Sequence, residues 1–251
     1  MKWVVFLISC ALQTWAIQGG LPIPKDWQVR SPVVRLGSGE RGNPVSKCSG
    51  ILLSSKVILT AAHCFREFNS IRKISVENLE TGQIHSSTFK KIAKAGYPAD
   101  FHEHPDFKKN GYDIGIIVLR WEVPFKLPTF ELAKEERNLN LLVPNVWLIA
   151  NGSQAPMYDS SSASIPIANV VRYSFEGKDS FYRYQSAHAK SGPCEGDSGG
   201  GIFSWNDGVW TLEGIQSTKL SAPDCGDDLN RGYFVPIFSN REWILSVLKG
   251  I

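Results

Sequence analysis

Short apolar runs, each bounded by turn residues, recur along most of this chain. Residues 31–36, 50–53, 56–59, 114–119, 146–150, 200–203, 209–215 and 232–237 are apolar or alternating stretches. Runs this short, punctuated by Gly, Pro, Asn, Asp and Ser, predict β-strands. Their succession predicts an all-β fold of antiparallel strands in a sandwich or barrel. A convincing helical pattern appears near the C-terminus. Trp243, Ile244, Val247 and Leu248 fall on one face at helical spacing, and Ser239 and Glu242 stand at capping-box spacing ahead of them. Gly250 follows as a stop. This helix is expected to pack against the outside of the second half.

Two stretches break the strand pattern. Residues 154–168 are rich in Ser, Ala and Pro and predict a long surface loop. Residues 121–145, with Pro124, Pro128 and Pro144, predict a crossover between two halves. No fixed-period repeat is visible.

The N-terminus reads as a targeting segment. Lys2 supplies positive charge, and a ten-residue run, 3–12, apolar but for Ser9, follows. Such a run is too short to span a bilayer and suits a signal-peptide core. Thr14 and Ala16 place small residues three and one back from a cut after Ala16. No later stretch approaches eighteen uninterrupted apolar residues, so a mature protein that is secreted, with no membrane span, is expected.

Composition narrows the class. The chain has 251 residues, is 43% hydrophobic and carries 13 Phe, 8 Trp and 7 Tyr, enough for a substantial core. The net charge of +3 is spread along the chain, and the basic pairs Lys90-Lys91 and Lys108-Lys109 are short. That distribution gives no footprint for nucleic acid or an anionic membrane. Of five cysteines, Cys10 leaves with the signal. Cys48, Cys64, Cys194 and Cys225 form an even set suited to an oxidising compartment, with three possible connectivities. A zinc site lacks its spacing, because no close C-x-x-C or H-x-x-x-H pair is present. His102 and His104 flank Glu103, and a surface loop is the expected setting for them.

Three motifs carry chemistry: Thr60-Ala61-Ala62-His63-Cys64, Asp113-Ile114-Gly115, and Cys194-Glu195-Gly196-Asp197-Ser198-Gly199-Gly200. Amide hydrolysis needs a nucleophile, a base, a group that holds the base, and donors for the developing oxyanion. Ser198, His63 and Asp113 can supply the first three, and the N–H groups of Gly196 and Ser198 the fourth. Each motif alone has a bland explanation: a turn, a cap, or a structural histidine. Jointly, in this order, they do not.

With His63, Asp113 and Ser198 in that order, the mature chain resembles the chymotrypsin-like (trypsin-fold) serine proteases. The resemblance implies two six-stranded antiparallel β-barrels packed together with a C-terminal α-helix, the active site lying between the barrels. With the signal segment over residues 1–16, the resemblance implies a protease domain over 17–251. The first barrel would run to about residue 125, with the second barrel and helix from about 126. It pairs Cys48 with Cys64 and Cys194 with Cys225. It implies catalysis without metal or other cofactor by a secreted, extracellular monomer that acts on proteins or peptides and is met by protein protease inhibitors.

The same resemblance implies a switch in which a new N-terminal amine pairs with Asp197. No Arg or Lys precedes an Ile-Val-Gly-Gly string here, yet Ile17-Gln18-Gly19-Gly20 follows Ala16 directly. Signal peptidase would then expose Ile17 itself; a cut after Gly19 or Gly20 is the rival. In the primary substrate pocket, Gly192 takes the place of the aspartate that anchors Arg or Lys in trypsin-like members. Gly192 and Gly232 imply an uncharged pocket for an apolar or small side chain, with Ser217 on the substrate-binding strand. Lys219, Asp224, Arg231 and Glu195 are charges near that region, for which solvent-exposed loops are the expected setting. Asn151-Gly152-Ser153 forms a glycosylation sequon. Two other classes compete. A protease-like binding protein would be expected to have lost one of the three residues. An esterase on another fold would show a G-x-S-x-G elbow and the order Ser, Asp, His.

Overall fold

The computed structural model describes residues 17, 20–24, 26, 27, 32–40, 43–65, 75–78, 84–86, 99–124, 127, 129–142, 145–150, 163–175, 178–187, 191–219 and 231–251. The signal segment, Asn151, Asp224 and Cys225 lie outside these residues. The strands are β1 (Leu21–Pro22), β2 (Val33–Glu40), β3 (Asn43–Leu52), β4 (Val57–Thr60) and β5 (Ser75–Asn78). They continue as β6 (Ile84–Ser86), β7 (Ala99–Glu103), β8 (Gly115–Leu119), β9 (Glu131–Leu132) and β10 (Val146–Ala150). The last five are β11 (Ala163–Phe175), β12 (Lys178–Ser186), β13 (Gly201–Asn206), β14 (Val209–Lys219) and β15 (Arg231–Pro236).

They form two sheets. Strands β11, β10, β13, β14, β15 and β12 pair in sequence, and β12 pairs back onto β11, which closes a six-stranded antiparallel barrel. Closure removes the exposed edges of the sheet. Strand β1 adds to β11, and β9 lies parallel to β14. The first half is a seven-stranded antiparallel sheet in the order β6-β5-β2-β3-β4-β8-β7. Its two edges, β6 and β7, are consecutive in the chain and joined by residues 87–98, outside the described residues. So one closed barrel and one sheet are described where the resemblance implies two six-stranded barrels.

Alternation along the strands explains the core. The closed barrel is filled by Leu148, Ile165, Ile167, Tyr184, Ile202 and Phe234, joined by Ile17. A second cluster crosses between the halves, packing Leu36, Ile51, Ile58 and Ile116 with Phe203, Leu212, Ile215 and Val235. Each such side chain contributes about 1.5–3 kcal/mol on leaving water, so the two halves are held together by a shared apolar core.

The expected strands are all present, but three local expectations change. The loop expected over 154–168 is strand from Ala163 onward. Asn169 at φ 51 and a register shift between Ala168 and Val171 form a bulge, so the inward residues run Ile165, Ile167, Val170. That spacing hides the period of two. Next, the C-terminal helix spans Ile237–Lys249, three residues earlier than a Ser239 cap allows. Strand β15 runs into it directly, with Pro236 as the extended residue ahead of the first turn; Asn240 Nδ2 and Ser239 Oγ both donate to the Pro236 carbonyl, at 2.7 and 3.4 Å. Third, His102 and Glu103 are strand, not loop. His104 is packed by aromatic rings, stacked on Tyr112 and edge-on to Trp243 of the helix, with centroids 4.9 Å away in both cases. Partial burial holds the His104 pKa below its ordinary value, against the opposing pull of Asp106.

Candidate active site

Strand pairing places the first two residues. β4 ends at Thr60 and β8 begins at Gly115, and these two are direct cross-strand partners. His63, three residues beyond Thr60, and Asp113, two residues before Gly115, therefore leave the sheet at the same corner. The Cys48–Cys64 disulfide ties the histidine turn back to β3 across 16 residues. A closure of that length contributes about 3 kcal/mol.

The carboxylate is held by three bonds. The His63 backbone N–H donates to Asp113 Oδ1 at 2.8 Å, and His63 Nδ1 lies 2.6 Å from Asp113 Oδ2. Ser217 Oγ, from β14 in the other half, donates to the same Oδ2 at 2.5 Å. Burial acts to raise the Asp113 pKa, but the bond and charge of His63, the Ser217 hydroxyl and the His63 N–H together hold it below the ordinary value. Asp113 is 5% exposed, whereas the His63 side chain is 37% exposed, so the imidazole faces the cleft from a fixed base.

Ser198 arrives from the closed barrel. It sits in the turn between Cys194 and β13, where Asp197 N–H donates to the Cys194 carbonyl and Gly200 N–H to the Asp197 carbonyl. The first half grips this turn. Ser49 N–H donates to the Ser198 carbonyl at 2.7 Å, Ser49 Oγ to the Gly196 carbonyl at 2.9 Å, and Thr60 Oγ1 to the Ser49 carbonyl at 2.7 Å. Gly199 makes that grip possible. Its φ is +85°, and a Cβ there would meet the Ser49 carbonyl oxygen and Thr60 Oγ1 at 2.1 Å. In the sequence Ser49 has no assigned role, and Thr60 none beyond opening the histidine motif. Their signal was adjacency, Ser49 to Cys48 and Thr60 to the histidine motif.

The three residues converge without closing every bond. Cys64 Sγ lies 3.9 Å from His63 Nε2 and 4.0 Å from the Ser198 carbonyl oxygen, so the imidazole edge and the serine backbone border the same sulfur. The Ser198 hydroxyl donates to the Ser217 carbonyl at 2.9 Å, and no hydrogen bond joins it to His63 among the described residues. Ser217 thus bridges them, its carbonyl on Ser198 and its hydroxyl on Asp113. The N–H groups of Gly196 and Ser198 meet no acceptor among the described residues.

The remaining expected residues fall around this centre. Asp197 is wholly buried, with Oδ2 accepting from the Cys194 N–H at 2.7 Å. Ile17 is also wholly buried and packs within the closed barrel. Cys194 is disulfide-bonded. Gly192 is buried beside the turn, Glu195 is exposed and Arg231 is half-buried. Gly232, on β15, faces Tyr184 of β12. Cys48, His63 and Cys64 cluster closely enough to suggest a metal site, but the disulfide ties up both sulfurs, which leaves no thiolate pair.

Comparison with known proteins bears on the family and the fold. The family model described as Trypsin matches residues 25–244. Coagulation factor XI of Bos taurus is 25% identical over 218 residues, which cover 81% of this chain and 33% of that protein. Serine protease 41 of Homo sapiens is 26% identical over 224 residues, covering 81% of this chain and 69% of that protein. The chain therefore spans about a third of the first relative and about two thirds of the second. Among solved structures, neuropsin, a serine protease expressed in the limbic system of mouse brain, matches with a TM-score of 0.62 at 20% identity. That match covers 92% of this chain and 98% of neuropsin and is a likeness of fold.

Proposed function

The chain belongs to the trypsin family of serine proteases, and from that membership we propose that it is a secreted serine endopeptidase acting through Ser198, His63 and Asp113. Ser198 Oγ attacks the peptide carbonyl carbon while its proton passes to His63 Nε2. The carbonyl electron pair moves onto oxygen, where the N–H groups of Gly196 and Ser198 receive it. Collapse expels the amine, which takes the proton from His63. Water then attacks the acyl group, gives its proton to His63, and releases the acid as Ser198 recovers its own. Asp113 orients His63 and stabilises its charged form. In the resting state Ser198 needs only a turn about its Cα–Cβ bond to leave the Ser217 carbonyl. Such bonds commonly tighten only when substrate arrives.

The observation that carries this reading is the bridge through Ser217, which ties the serine hydroxyl and the aspartate carboxylate, from opposite halves, to one residue. Activation is assigned to a cut after Ala16. The new amine of Ile17 would reach Asp197 within the barrel where Ile17 already packs, adding a positive charge to a carboxylate that accepts from the Cys194 N–H. Cys194 is assigned to Cys225. Protein inhibitors of serine proteases are the expected partners. No carboxylate stands at Gly192, so Arg and Lys fall outside the preferred residues.

The full chain, expressed through a secretory pathway, should release a protein that begins at Ile17 and hydrolyses a mixed peptide pool. Ser198→Ala should abolish the hydrolysis. Hydrolysis that survives Ser198→Ala would remove the proposed nucleophile, and a secreted protein starting elsewhere would remove the role given to Ile17.

A further inference from the structure

Behind the Ser198 hydroxyl, the space between β12, β14 and β15 is filled by this chain's own side chains. Ser198 Oγ donates to Ser217, and the neighbouring Gln216 on β14 is 1% exposed. Gln216 Oε1 accepts from the Tyr184 hydroxyl at 2.7 Å, while its Nε2 donates to the Thr218 carbonyl at 3.0 Å. Tyr184, on β12, is wholly buried and is the cross-strand partner of Gly232 on β15. A Cβ built on Gly232 would lie 2.4 Å from both Cζ and the hydroxyl oxygen of Tyr184. Phe234, on the same strand, adds its ring at 6.2 Å from that of Tyr184.

Gly232 therefore has no side chain because a tyrosine packs over it. The amide and the phenol satisfy each other, so neither is left as a buried polar group seeking a partner. Burial, and then the charge of Asp197, push the phenol pKa well above its ordinary value, which keeps the hydroxyl a neutral donor to Gln216. Displacing the ring would break that bond and reopen the barrel interior to water.

We propose that Tyr184 and Gln216 form the floor of the primary substrate pocket and restrict it to residues with small side chains, Gly, Ala or Ser, at the scissile carbonyl. The inference rests on the endopeptidase assignment and refines it. Of the two substrate classes that Gly192 and Gly232 leave open, apolar or small, the geometry keeps the small one. A pocket too short by even one methylene discriminates about 10–200-fold, and Leu, Phe or Arg exceeds that margin.

The test uses the secreted, processed protein on peptides that differ only in the residue donating the scissile carbonyl: Gly, Ala, Ser, Leu, Phe and Arg. The expected kcat/KM for Ala exceeds that for Leu, Phe and Arg at least about tenfold. Tyr184→Gly should shift the Phe-to-Ala ratio at least about tenfold towards Phe. Should that variant not fold, the wild-type profile alone decides. Preferred cleavage after Leu, Phe or Arg by the wild type overturns the inference and leaves the endopeptidase assignment standing. No cleavage of any peptide by protein beginning at Ile17 overturns both.

Discussion

The histidine side and the serine side of the cleft are fixed by different means. On the histidine side, charge-assisted hydrogen bonds decide orientation: His63 is clamped to both oxygens of a buried carboxylate. On the serine side, backbone packing decides position, through a turn pressed against Ser49 with no room for a Cβ at Gly199. The first arrangement sets which nitrogen of the imidazole faces the cleft. The second sets where the hydroxyl stands while leaving it free to rotate. In the proposed mechanism a base must present the same nitrogen to its partner throughout, whereas a nucleophile must move, and the two halves differ accordingly.

The largest expected effect separates chemistry from binding. Ser198→Ala should lower kcat on the order of 10⁶-fold, and Asp113→Asn on the order of 10⁴-fold by presenting His63 in the wrong tautomer. Steady-state kinetics measures both; an Asp113→Asn loss of only tenfold would mean that the two-point clamp does not orient the base.

Next comes the packed turn. Gly199→Ala should destabilise the fold by about 3 kcal/mol or more, because left-handed strain adds to overlap with Ser49 and Thr60. Gly208→Ala has a similar φ of +82° but open space around it, so strain alone should cost about 1–2 kcal/mol. Equal losses in urea denaturation would deny the contact its role.

Ser217→Ala removes a hydrogen bond to a charged group, and roughly a tenfold fall in kcat is expected. Its pH signature carries a definite sign. The Asp113 pKa is depressed, so its contribution to stability is present above the ordinary carboxylate pKa and is lost as pH falls through the lowered value. Without the Ser217 hydroxyl the folded carboxyl is depressed less, so this contribution is smaller and acid unfolding should occur at a higher pH. An unchanged acid midpoint would count against the bond.

The smallest effect concerns Glu213 on β14. Glu213 is buried, accepts from Ser204 Oγ at 2.6 Å and lies 3.6 Å from Arg137. Burial raises its pKa, with Ser204 and then Arg137 opposing. A raised carboxylate binds more protons folded than unfolded, so stability falls as pH rises from the ordinary glutamate pKa through the raised one. Glu213→Gln should flatten that slope in chemical denaturation, and a slope that persists would point to another group.

What the sequence made legible follows the same divide. His63, Asp113 and Ser198 could be read because each sits in a motif of small or apolar neighbours, and the strands that carry them have clean apolar patterns. Tyr184 and Gln216 could not, because their meeting depends on register between β12, β14 and β15, which no local pattern encodes. Strand β11 was hidden by the bulge at Asn169. The helix start was displaced because Pro236 serves both strand and helix, whereas the Ser239 side chain turns to the Pro236 carbonyl.

The central claim is that the Ser198 hydroxyl is a nucleophile made reactive by His63. It is tested most directly by treating the processed protein with a fluorophosphonate and mapping the adduct by mass spectrometry. One adduct per chain on Ser198, absent in His63→Ala, is the expected result. No adduct, or one of equal yield in His63→Ala, would contradict it.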